Sequence, residues 1–251
     1  MNKLPQITLA FWVMKICATT LGETAGDLLS MTLDVGYLMS SLILISVFVV
    51  TLLTQLASKR YNPALYWIVI LSTSTAGTTM SDFMDRTLEL GYATGSMILI
   101  AILLAIFTAW RLSGDSLNVS KVQTFSGEMF YWMAILFSNT LGTALGDYLA
   151  DDSGLGFAGG ALLIGSTIAV VVALKYFTKI SSVLLFWVAF VLTRPFGATL
   201  GDLMTKPHEK GGLDFGTIGS SAVLAGILLV MIVGASYAQK RYGKPPVAEL
   251  S

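Results

Sequence analysis

Four stretches of this chain align without a gap, and each ends on an aspartate inside or beside a long apolar run. They are residues 20–27 (TLGETAGD), 75–82 (TAGTTMSD), 140–147 (TLGTALGD) and 195–202 (PFGATLGD). The spacings between Asp27, Asp82, Asp147 and Asp202 are 55, 65 and 55 residues, and the first and third, like the second and fourth, stand 120 apart. Repetition at this period implies one supersecondary unit copied four times, with neighbours burying what a single copy cannot. Gly36, Gly91 and Gly156 each follow their Asp by nine residues. Gly216 follows by fourteen, which marks residues 206–210 as a five-residue insertion.

Each unit holds two apolar segments of the length a membrane-spanning helix needs, about 20 residues. The expected spans are residues 5–27, 36–57, 63–82, 92–111, 129–147, 157–177, 180–202 and 216–238. Composition agrees: of 251 residues 55% are hydrophobic and 12% charged, about half the charged share of soluble domains. That balance excludes an ordinary soluble enzyme, a nucleic-acid binder and a disordered chain. The first segment is read as retained rather than cleaved, since Lys15 interrupts its apolar run and no small-residue cleavage site follows. The fold expected is an all-α membrane protein of about eight transmembrane helices, built from four parallel two-helix repeats. An even number of spans per unit gives every repeat the same orientation, unlike the inverted repeats of many transporters. Residues 1–120 form one four-helix half, 121–241 a pseudo-two-fold-related second half, and 242–251 a flexible tail.

Basic residues set the orientation. Ten (Lys3, Lys59, Arg60, Arg111, Lys121, Lys175, Lys179, Lys240, Arg241 and Lys244) fall on the side of the termini, and three (Arg86, Lys206 and Lys210) on the other. Both termini are therefore expected in the cytoplasm and the protein in a bacterial inner membrane. All four motif Asp residues then lie at the outer ends of the odd helices. Outer loops add Asp34, Asp85, Glu89, Asp151, Asp152, Glu209 and Asp214, an acidic mouth or simply a solvated loop surface.

On a helix, residues four apart share a face. Counting back from each Asp gives Glu23 and Thr19, Thr78 and Ser74, Thr143 and Asn139, Ala198 and Arg194. In the first helix this stripe continues to Lys15. Beside it runs a small-residue stripe of Gly22 and Gly26, Gly77 and Ser81, Gly142 and Gly146, Gly197 and Gly201. Such pairs let membrane helices approach closely, so the odd helices are expected inside with their glycine stripes in contact. Lys15, Arg194 and Asn139 lie deep in the span and need internal partners. Lys15 and Arg194 are expected to pair with Glu23 and the motif Asp residues. Five acids against two bases leave an excess of three negative charges, which calls for a cation or protons. Carboxylates and hydroxyls are hard oxygen ligands suited to manganese or a similar divalent ion, with Asp27, Asp82, Asp147 and Asp202 as metal ligands and Glu23, Thr78, Thr143 and Asn139 lining the path. One cysteine (Cys17) and one histidine (His208) leave no soft metal cluster and no disulfide. Trp12, Trp67, Trp110, Trp132 and Trp187 are expected as interfacial anchors or packing groups.

With its four G-x-x-x-[GS]-D motifs, the chain resembles a bacterial multi-pass family labelled "uncharacterised membrane-anchored protein". It is more distantly similar to manganese/calcium exchanger-type transporters, although it lacks their E-x-G-D-[KR]-[ST] string; the nearest stretch is residues 23–28. That second resemblance implies cation transport. The function expected is secondary transport of a small hard cation, exported or exchanged and possibly proton-coupled, without a catalytic centre or resident cofactor. Its partners are the lipid bilayer and inorganic cations or protons, with no nucleic acid; a homo-oligomer is compatible with it. Two alternatives stand beside it. One is a non-transporting scaffold or sensor subunit. The other is an intramembrane aspartyl protease, whose G-x-G-D motif is only half present at Asp27, Asp147 and Asp202.

Overall fold

The computed structural model describes residues 3–242. It is all-helical, with eight long helices: α1 (Leu9–Asp27), α2 (Tyr37–Ala57), α3 (Pro63–Asp82), α4 (Tyr92–Leu112), α5 (Phe125–Asp147), α6 (Gly156–Phe177), α7 (Ser182–Thr205) and α8 (Thr217–Tyr242). Local chemistry sets the starts of α1, α3 and α5. Thr8, Asn62 and Thr124 cap them through their side-chain oxygens, with Pro63 at the first position of α3. The Thr8 cap moves the first helix start from residue 5 to Leu9. The tail expected at 242–251 lies, apart from the backbone of Tyr242, outside the described residues.

Five helices, α2, α4, α6, α7 and α8, are long and apolar enough to cross a membrane. The other three carry the polar stripes, which lower their hydropathy. Burial inverts the usual soluble pattern. The central helices are buried along most of their length although polar. The outer helices expose Leu42, Val50, Leu104, Leu162 and Val230, a surface suited to lipid.

The odd helices form a closed ring in which α1 packs on α3, α3 on α5, α5 on α7 and α7 on α1. Each even helix packs chiefly on the odd helix of the next unit: α2 on α3, α4 on α5, α6 on α7, and α8 back on α1. The units thus interlock in sequence, and the last closes on the first.

Glycine makes the ring possible, but not as expected. The glycine stripes do not meet one another; each meets the polar stripe of the next odd helix. A Cβ on Gly22 would strike Ser74, on Gly77 Asn139, on Gly142 Arg194, and on Gly197 Thr19. One turn further along, Gly26 faces Thr78, Gly146 faces Ala198 and Gly201 faces Glu23. A polar side chain pointing toward the axis needs the room that a missing Cβ leaves, so each stripe supplies what its neighbour requires.

The connections repeat too. After Asp27, Asp82 and Asp147 the chain makes one wide π-helical turn, closed by bonds such as Leu33 N–H to Leu28 O at 2.8 Å and Leu88 N–H to Phe83 O at 2.9 Å. It then reverses through Asp34, Glu89, Gly154 and Asp214, all at positive φ, each two residues before a positive-φ glycine. Asp34 and Asp214 suit this turn, since Asp tolerates positive φ better than most residues; Glu89 holds the same conformation. After Asp202 the π turn is missing. Pro207 in the insertion stops α7 at Thr205.

Gly142→Ala pushes a methyl group into the Arg194 stem and is expected to destabilise the fold by ~1–3 kcal/mol, as overpacking does. Gly226→Ala, in α8 with nothing within 4 Å, is expected to be neutral or to add stability. Thermal unfolding of both variants in detergent checks this; equal losses would contradict the packing.

Candidate functional site

Along the ring axis, four-residue steps back from each Asp build five levels, and all twenty side chains on them are buried. At the first level stand Asp27, Asp82, Asp147 and Asp202. Next come Glu23, Thr78, Thr143 and Ala198, then Thr19, Ser74, Asn139 and Arg194. Below them are Lys15, Ile70, Ile135 and Phe190, and last Phe11, Tyr66, Tyr131 and Phe186. The repeat therefore places equivalent residues of four helices around one axis.

At the second level the fourth unit contributes only Ala198, and Arg194 reaches up from the level below into the space. Its Nη2 lies 2.8 Å from Glu23 Oε2 and donates to Thr78 Oγ1 at 2.6 Å and Thr143 Oγ1 at 2.7 Å. Both hydroxyls approach the same Glu23 oxygen at 3.3 Å. One charge pair thus ties all four odd helices together. Desolvating two charges is expensive, and dense hydrogen bonding is what makes it tolerable.

Lys15 departs from expectation: it reaches no carboxylate. Its Nζ lies 3.4 Å from Asn139 Oδ1 and 4.2 Å from the centre of the Phe190 ring. Asn139 in turn donates to Thr73 Oγ1 at 2.9 Å.

The Asp level is paired by two bases, Arg86 and Lys206, that lie beyond the motifs in sequence. Arg86 bridges Asp82 (2.8 Å) and Asp147 (3.2 Å). Lys206 bridges Asp202 (3.0 Å) and Asp27 (2.7 Å). Each base follows its own Asp by four residues, and the two are 120 apart, so this level keeps the two-fold relation of the halves. Burial opposes both charges. The flanking carboxylates outweigh it and hold the Lys206 ammonium and the Arg86 guanidinium well above their ordinary ranges. The tally is corrected accordingly: five acids face four bases, an excess of one negative charge instead of three.

Of the acids expected as metal ligands, Asp147 and Asp202 come together with Glu23. Carboxylate oxygens of Glu23, Asp147 and Asp202 lie within 4.8 Å of one another, all buried, and one oxygen of Asp82 has no hydrogen-bond partner. Oxygen donors of this kind suit a hard cation. Asp27 is instead drawn to Lys206. Asp85, beyond α3, sits against Gly95 and accepts from Ser81 at 3.1 Å. Burial pushes its carboxyl up to about 6, against the pull of that bond and of Arg86.

The opposite end of the axis is closed by aromatic rings. Tyr66 and Tyr131 share a hydrogen bond of 2.6 Å, and Trp67, Trp132 and Trp187 pack around them. Trp67, Trp110 and Trp132 are fully buried, so they are packing groups and not interfacial anchors. This plug was legible: Phe11-Trp12, Tyr66-Trp67, Tyr131-Trp132 and Phe186-Trp187 all begin sixteen residues before the motif Asp.

The family profile described as Repeat of Unknown Function (DUF347) matches residues 10–61, 65–116, 130–181 and 185–242. The chain belongs to this family and carries four copies of its repeat. No curated protein and no solved structure matches it.

Removing either member of the buried Glu23–Arg194 pair strands the other, which typically costs ~3–5 kcal/mol. Glu23→Gln and Arg194→Met are each expected to lower stability by that order, and the double variant to recover much of it. A double-mutant cycle by denaturation in detergent measures the coupling; strictly additive losses would show that the pair is not formed.

Proposed function

We propose that this protein is a secondary transporter of a small hard cation, divalent manganese or a similar ion, working against protons. The observation that carries this reading is the axial column. Ionisable and hydroxyl side chains run through the ring at full burial, a costly arrangement that in membrane proteins commonly marks a transport path. All eight helices are taken to span a bacterial inner membrane, with both termini cytoplasmic, as the basic residues imply. The Asp level then faces outward and the aromatic plug inward.

Arg86 and Lys206 refine the mechanism. Each holds a cationic group between two carboxylates, where a substrate cation would compete for the same oxygens. Both bases are partly exposed, 34% and 21% at the side chain; Arg86 lies in the π-helical turn after α3 and Lys206 caps α7. An entering ion displaces Lys206 from Asp202 and binds Asp202, Asp147 and Glu23. Release returns the lysine or a proton to the site. Passage to the other side requires the aromatic level to part, as alternating access demands. The protease alternative has less support. A catalytic dyad needs two carboxyls sharing a proton, and a base bridges Asp82 to Asp147 as well as Asp27 to Asp202.

In proteoliposomes, manganese-dependent proton flux is expected from the wild type. Glu23→Gln, Asp147→Asn and Asp202→Asn are each expected to abolish it, while Asp34→Asn in the loop leaves it intact. Wild-type rates in correctly inserted Glu23→Gln and Asp202→Asn would refute the mechanism.

A further inference from the structure

A cavity outside the ring breaks the likeness of the two halves. α8 packs closely on α3 as well as on α1, whereas α4, its counterpart in the first half, has no comparable approach to α7 among the described residues. The connection after α4 is also the long one. It runs over residues 113–124, twelve residues, against five between α2 and α3 and four between α6 and α7. Between α4, α7 and this connection lies a groove of about 1000 Å³, at the upper end of the range for small-molecule sites. Its wall is fixed by the fold. Phe107 and Trp187 meet edge to face with centroids 4.9 Å apart, Trp187 Nε1 donates to Leu117 O at 3.0 Å, and Thr124 Oγ1 donates to Asp115 Oδ1 at 2.7 Å.

The groove is graded along the helices. At its mouth stand Arg111 in the last turn of α4, Ser181 just before α7, and Asp115 and Asn118 of the connection. Its depth is lined by Leu104, Val188, Val191 and Leu192. From Ser181 to Leu192 is eleven residues, about 16 Å of helix at 1.5 Å per residue and close to half the ~30 Å hydrocarbon thickness of a bilayer. Leu104 and Leu184, both on the groove, are 61% and 57% exposed. The groove therefore opens sideways, and the helices that frame it are both apolar enough to cross a membrane. Polar at the helix ends and apolar for the depth of one leaflet, it follows the gradient of a phospholipid, not that of a water-soluble metabolite.

The two charges at the mouth select the headgroup. Arg111 and Asp115 line the same cavity, and no ion pair joins either of them to another described residue. An unpaired cation and anion at one mouth match a zwitterion. The guanidinium takes a phosphate and the carboxylate takes an ammonium. A primary ammonium donates hydrogen bonds to Asp115, and a quaternary one has none to donate. An anionic headgroup without an amine leaves Asp115 facing like charge.

We propose that the groove between α4 and α7 binds one phosphatidylethanolamine molecule, with its phosphate on Arg111, its ammonium on Asp115 and an acyl chain along Leu104, Val188 and Leu192 beside Trp187. In the orientation proposed above, the site lies in the cytoplasmic leaflet, where basic pockets between helices hold lipid headgroups. The inference takes from the proposed function only that α4 and α7 span a bilayer, and it is independent of cation transport.

The test is a titration of the purified full-length protein in detergent micelles with phospholipids brominated on the acyl chains, which quench the fluorescence of a tryptophan they touch. Phosphatidylethanolamine, phosphatidylcholine and phosphatidylglycerol are given the same chains, so contact with the general apolar surface is alike and only the headgroup differs. Quenching of the wild type by phosphatidylethanolamine is expected to saturate at a mole fraction several-fold lower than with the other two. Asp115→Asn, whose amide oxygen still accepts from Thr124, is expected to lose the preference over phosphatidylcholine. Arg111→Gln is expected to weaken binding of both lipids several-fold. Three coincident wild-type titrations overturn the proposal, as does a preference for phosphatidylglycerol. So does an undiminished phosphatidylethanolamine preference in Asp115→Asn or an unchanged affinity in Arg111→Gln. If Arg111→Gln does not fold, Asp115→Asn decides. No ion moves in this assay, so its failure is distinguishable from a failure of cation transport.

Discussion

A glycine facing a polar side chain, repeated from helix to helix around a ring, is the contact on which the rest of this protein depends. Gly22, Gly77, Gly142 and Gly197 let Ser74, Asn139, Arg194 and Thr19 lie between closely packed helices. Without that room the polar side chains would be driven off the axis toward the outer helices, where an unsatisfied polar group is costly. With it, the polar faces of four helices become one another's solvent. The apolar even helices then close the outside. The order of events in the sequence, a polar helix followed by an apolar one, becomes an inner ring and an outer ring.

The second constraint is electrostatic. Identical repeats would place four carboxylates at one level and four identical side chains at every level below, which self-repulsion forbids for charges. The sequence breaks symmetry where charge requires it and keeps it where packing requires it. Arg86 and Lys206 appear in alternate units, so the Asp level becomes two bridged pairs. Glu23 appears once, opposite two threonines and an alanine, and Arg194 rises into the gap that Ala198 leaves. Lys15 appears once, against Phe190.

Much of this was legible in the residues. The apolar runs and the gapless motifs carried the eight helices, because about 20 consecutive apolar residues and a fixed helical register leave few alternatives. The deep positions of Lys15, Asn139 and Arg194 followed from counting turns. Which faces meet did not follow, because periodicity places residues on a face without naming the neighbour; hence glycine stripes expected against each other instead of against the next polar stripe. Arg86 and Lys206 look like loop charges in the sequence because each lies beyond its motif, yet their common offset from Asp82 and Asp202 signals pairing. Charge alone points Lys15 to a carboxylate, and only the positions of Phe190 and Asn139 show why it has none.

The fourth repeat closes on the first, with α8 packed against α1. Ser221 Oγ and Thr24 Oγ1 meet across that closure at 2.8 Å, while Thr51 Oγ1 and Ser72 Oγ meet at 2.9 Å between the consecutive helices α2 and α3. In a Cys17→Ser background, the cysteine pair at 24 and 221 is expected to oxidise to an intramolecular disulfide in native membranes as readily as the pair at 51 and 72. If the 51–72 pair cross-links and the 24–221 pair stays reduced, the ring is open and the shared axis it creates does not exist.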